Sequence, residues 1–75
     1  MKIRTLEGET LEAPSLQRLA EILWQGKFNS EPDIESWMAA SARRAAMWNG
    51  SVIRTTSPAE HVADLIAAGI LERIE

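Results

Sequence analysis

Not one of the 75 residues is cysteine, so the fold has to be held by packing alone, without a disulfide framework or a thiolate metal site. A chain of this length buries only about 60% of the surface it exposes when unfolded. The usual per-residue rate puts its whole stability at about 4–11 kcal/mol. Every amphipathic segment must therefore feed one small core, and residues 1–75 are read as a single domain. The lack of cysteine also fits a reducing compartment.

The longest apolar stretch runs from Leu65 to Leu71, seven residues that include Gly69, whereas a membrane-spanning helix needs ~20. The opening Met1-Lys2-Ile3-Arg4 leads into Thr5-Leu6-Glu7-Gly8-Glu9 with no apolar segment of the secretory kind. These features lead to the expectation of a soluble, cytoplasmic protein. Hydrophobic residues make up 45% of the chain, inside the range of chains that fold into a packed core.

Residues 2–12 carry a hairpin signal: strand-favouring Ile3, Thr5, Thr10 and Leu11 flank Glu7-Gly8. A two-residue loop would pair Ile3 with Glu12. A three-residue loop with Gly8 in the left-handed region pairs Ile3 with Leu11, placing two apolar side chains opposite each other on one face. The second register is preferred for that reason. Pro14 is then expected to open a helix. Its buried face would be Leu16, Leu19, Ala20, Leu23 and Trp24, spaced i, i+3, i+4, i+7, i+8, with Gly26 as the stop.

A second helix is expected from about Glu31 to Trp48. Ser30 is its N-cap in this reading, and Glu31, Asp33 and Glu35 lie near the positive end of its dipole. Ile34, Trp37, Met38, Ser41, Ala45 and Trp48 form one face, and Asn49-Gly50 ends the helix. Trp37 and Trp48 are thereby predicted to be core residues. Ser51–Thr55 reads as a strand, and Ser57-Pro58-Ala59-Glu60 as a capped start to a third helix whose stripe is Val62, Leu65 and Ile66. Gly69 would end that helix and Ile70–Ile74 would form a last strand, with enough chain between the two strands for a parallel crossover. The fold class is α+β: an N-terminal β-hairpin, two helices, then strand–helix–strand, with a small mainly antiparallel sheet on three helices. Ile3-Arg4-Thr5 recurs as Ile53-Arg54-Thr55, which is read as two short strands looking alike, not as a repeat.

The candidates for chemistry are few. His61 is the only histidine. It has Ser57, Glu60 and Asp64 nearby in sequence, but Ser57 is needed as a cap and Asp64 is only its i+3 neighbour. Convergence of nucleophile, base and orienting group is therefore not indicated, and His61 is expected as a solvated surface side chain. The glycines are scattered over turns and make no phosphate-binding loop. No catalytic residue, metal ligand or cofactor is expected, and the chain is read as a non-enzyme.

The segment Val62-Ala63-Asp64-Leu65-Ile66-Ala67-Ala68-Gly69-Ile70-Leu71-Glu72-Arg73-Ile74 resembles the recognition helix and following strand of winged-helix regulators. The whole layout, from Ile3-Arg4-Thr5-Leu6-Glu7-Gly8 to Ser57–Ile74, resembles small uncharacterised bacterial and phage α+β proteins. The first resemblance implies DNA binding, and the second implies a fold and a bacterial origin with no activity attached.

The far side of the second helix is unusual in being mostly small and apolar: Ser36, Ala39, Ala40, Arg43, Ala46 and Met47, of which Ala39, Ala40, Arg43, Ala46 and Met47 are the candidate contact residues. Such a face is covered by the chain itself, offered to a partner, or simply filled with alanine for its high helix propensity. The leading expectation is an interaction or accessory module that uses those residues toward an unknown protein partner or in a weak homodimer. The alternative is a small nucleic-acid-binding regulator using Arg43, Arg44 and Arg54. With 11 acidic against 8 basic residues, a net −3, generic nucleic-acid binding is disfavoured, because affinity there comes largely from phosphate neutralisation.

Overall fold

In the computed structural model, which describes residues 1–26 and 31–75, the chain starts as the hairpin that its residues specify. Strand β1 (Lys2–Arg4) pairs antiparallel with β2 (Thr10–Glu12), with Ile3 opposite Leu11. The three-residue loop is closed by the Thr5 N–H on the Glu9 carbonyl at 2.8 Å, with Gly8 at φ +88°. Only glycine takes that conformation without a Cβ penalty.

Helix α1 (Leu16–Trp24) is capped by Ser15, whose Oγ accepts the Arg18 N–H at 3.2 Å. Pro14 therefore sits just ahead of the cap and not in the first turn, because a side-chain acceptor fixes the helix start more strongly than a pre-set φ does. Gly26 is not left-handed either; the helix stops at Trp24, before it.

Helix α2 (Ile34–Asn49) begins three residues later than its sequence pattern suggests. Asp33 is the cap, with its Oδ1 2.7 Å from the Ser36 N–H; Ser30 lies outside the described residues. That hydrogen bond holds the Asp33 carboxyl below its ordinary range. At the other end Gly50, at φ +75°, closes α2 on the Ala46 carbonyl.

Helix α3 (Pro58–Ala67) has Ser57 as N-cap and Pro58 in its first turn. The Ser57 Oγ accepts the Glu60 N–H at 3.2 Å. The Glu60 carboxylate in turn accepts the hydroxyls of Thr56 and Ser57. Ser57→Ala should cost about 0.5–2 kcal/mol, read as a lower urea midpoint; an unchanged midpoint would leave Pro58 alone to define the start. The helix ends in a Schellman turn: Gly69, φ +79°, donates to Ile66, and Ile70 donates to Leu65.

The last strand, β3 (Glu72–Arg73), is shorter than expected and pairs antiparallel with β1, giving the order β2-β1-β3. There is thus no parallel crossover, because its other partner does not form: residues 51–55 are not a strand. The fold class is α+β, with a small antiparallel sheet and three helices. α1 and α3 make the most extensive helix pair. Ile3, Leu19 and Val62 are fully buried between sheet and helices, and Trp37, Met38 and Ala45 of α2 join the same core. No described helix is long and apolar enough to cross a membrane.

Candidate functional site

The failure of residues 51–55 to join the sheet has a local cause on α3. Arg54 donates its backbone N–H to Asp64 Oδ2 at 2.9 Å, and its carbonyl accepts from His61 Nδ1 at 2.8 Å. Two side chains one turn apart thus satisfy the two backbone groups that a neighbouring strand would have bonded. The Arg54 guanidinium then forks onto the same carboxylate, Nε and Nη2 to Asp64 at 2.9 and 3.0 Å, and reaches Glu60 at 2.9 Å. This holds the Asp64 carboxyl at about 2, well below the usual range.

His61 is fully buried, which corrects the expectation of a solvated side chain. Because its Nδ1 donates to a carbonyl, its Nε2 is the acceptor, and Ser41 of α2 donates to it at 3.0 Å. Its ring meets Trp37 edge-on, with centroids 5.0 Å apart. Burial pushes its pKa down, against the upward pull of the Arg54 carbonyl and Asp64. His61 ties α3, the 51–56 segment and α2 together, a role hidden from the sequence because Ser41 is 20 residues away. A Ser–His contact can activate a hydroxyl. Here the orienting group is a neutral carbonyl, and the backbone N–H groups around Ser41 are committed to α2 itself, so no oxyanion cradle forms on that helix. Ser57, the other serine near His61 in sequence, is occupied as the cap.

Ser41 also lines the wall of a cleft of about 950 Å³. Its floor is apolar: Trp37 and Ala45 of α2, Leu65 of α3, Leu71 beyond the Schellman turn, and Ile22 and Leu23 of α1. The hairpin loop forms one rim with Leu6, Glu7 and Glu9; Arg44 and Trp48 form another on α2. Trp48 is 59% exposed and Leu6 59%. Trp48 shares its helical face with Trp37 but is not a core residue, because in the last turn that face opens onto the cleft. Trp37, about three turns earlier on the same helix, is 5% exposed.

The small-residue face of α2 divides. Ala40 is buried, while Ala39, Arg43, Ala46 and Met47 are exposed. Arg4 is within 3.9 Å of Glu72 across the sheet, Arg54 is engaged by Asp64 and Glu60, and only Arg44 reaches the cleft. Among the described residues, no three His, Asp or Glu side chains are grouped so as to hold a metal ion.

Comparison with protein-family models, with curated proteins and with solved structures finds no match. The reading of this surface therefore rests on its own chemistry.

Proposed function

We propose that the chain is a non-enzymatic interaction module whose contact surface is the cleft and the exposed end of α2. The observation that carries this reading is that Leu6 and Trp48, two large exposed apolar side chains from different elements, line one cleft. An aromatic beside a pocket is the kind of residue that dominates binding energy at protein interfaces. Met47, 87% exposed next to Trp48, extends the apolar surface toward Ala39, Arg43 and Ala46. A weak homodimer through that back face is the self-association form of the same reading.

The test is Trp48→Glu in a tagged chain expressed in its native cell. Capture of the partner should fall at least tenfold, while the circular dichroism spectrum and the urea midpoint stay unchanged. Equal capture by both forms would overturn the reading. Sedimentation of Met47→Glu against the parent separates the homodimer from a foreign partner.

One observation favours the nucleic-acid alternative: Arg44 and the exposed Trp48 line the same cleft, a cation beside a stacking platform. Glu7 and Glu9 line it too, and they repel phosphates. The expected result is no sub-micromolar, salt-dependent binding to DNA or RNA at physiological salt, measured by fluorescence anisotropy. Such binding, lost in Arg44→Glu, would put the alternative first.

A further inference from the structure

The chemistry of the cleft specifies its occupant more closely. Glu7 and Glu9 both stand exposed at the rim, and neither forms an ion pair within the described residues, whereas Glu21, Glu60, Asp64, Glu72 and Glu75 all do. The hairpin is what brings them there. Its bulged loop brings Leu6, Glu7 and Glu9 to the same cleft as the half-buried Leu11, Ile22, Leu23 and Ile70. With carboxylates on the hairpin side and Arg44 on the α2 side, the cleft is complementary to a segment with apolar anchors and with cations on the side that meets the hairpin.

We propose that the cleft receives a short amphipathic helix of a protein partner, its apolar face on Leu6, Ile22, Leu23 and Trp48 and its Lys or Arg side chains against Glu7 and Glu9. This rests on the reading of the cleft as an interaction surface and adds the chemistry of the partner. An occupant with one apolar face and one charged face is the kind that helix-in-groove recognition uses. The molecule measures 26 × 26 × 22 Å, so the part of the helix in contact with it spans no more than about four turns, ~22 Å at 5.4 Å per turn. A second copy of this chain is the weaker occupant, since at net −3 it would bring an acidic protein to an acidic rim. Nucleic acid is disfavoured on the same ground. The carboxylates act mainly on specificity and association rate, and the apolar floor supplies most of the affinity.

The experiment uses the full chain, labelled with ¹⁵N, and two synthetic amphipathic peptides of about four helical turns. Both carry the same leucine-and-phenylalanine face; one has lysines and the other glutamates on the polar face. The lysine peptide should shift the amides of Leu6, Trp48 and Leu71 and bind at least tenfold more tightly than the glutamate peptide at low salt. The gap should narrow as salt is raised. Glu7→Lys combined with Glu9→Lys should remove that preference, with the spectrum of the free protein otherwise preserved. Equal binding of both peptides in the cleft would overturn the cationic partner and leave the interaction surface standing. Shifts scattered outside the cleft, or none, would overturn this proposal too. The capture experiment with Trp48→Glu then decides separately whether the surface binds any partner.

Discussion

Trp37→Ala is expected to destabilise the domain by about 3–5 kcal/mol, a large share of the stability open to a chain this short. Trp37 is 5% exposed and packs edge-on against the fully buried His61 ring. It also forms part of the cleft floor. Its removal opens a cavity beside a polar side chain and lets water reach the His61–Ser41 hydrogen bond. Urea denaturation with a two-state fit measures the loss, and Trp37→Phe should recover part of it by refilling most of the volume. A loss below about 1 kcal/mol, less than a single buried methylene and its cavity would cost, would mean that the ring is not packed as described. The same substitution at Trp48 should leave the midpoint almost unchanged, since that ring is mostly in solvent.

His61→Leu is the second large effect, about 2–4 kcal/mol at neutral pH. It leaves the part-buried Arg54 carbonyl and the buried Ser41 hydroxyl without their partner, and a buried group so stranded costs roughly 1–3 kcal/mol. The pH dependence gives this prediction its distinguishing mark. Burial lowers the folded-state pKa of His61 below 6.5, so on acidification the unfolded chain takes up that proton first. Stability is therefore full above about pH 6.5 and falls as the pH drops through the interval down to the folded value. Asp64, held at about 2 in the folded state against 3.8, contributes stability that is present above the unfolded value and lost only as pH falls between those two values. The two windows do not overlap at the upper end. Denaturation midpoints at pH 7.5 and pH 5 should differ in the parent protein and converge in His61→Leu. A variant that keeps the parental slope across this interval would show that another group titrates there.

Capping and turn chemistry were legible because they are local. Gly8, Gly50 and Gly69 adopt positive φ, Ser57 caps α3, and the bulged hairpin sets Ile3 against Leu11. Each depends on residues within a few positions of one another. The small-residue face of α2 was legible as a pattern, but its division into buried Ala40 and exposed Ala39, Arg43, Ala46 and Met47 was not. Periodicity reports which residues share a face and says nothing of whether another element reaches it. Trp37 and Trp48 make the same point along one stripe. The cleft was hidden for a related reason: Leu6, Trp37, Trp48 and Leu71 come from three separate parts of the chain, the hairpin loop, α2 and the segment after α3.

The tripeptide Ile-Arg-Thr separates the two kinds of information most sharply. By itself the sequence determined that both copies are extended-favouring and that the isoleucine is to be buried. Ile3 and Ile53 are indeed both in the core. The tertiary structure alone decided that Arg4 lies in the central strand of a sheet while Arg54 lies in none. A backbone N–H and C=O must be satisfied but can be satisfied in more than one way. For Arg4 the partners are other strands. For Arg54 they are the side chains of Asp64 and His61, ten and seven residues further on and within reach only once α3 has folded back over the segment.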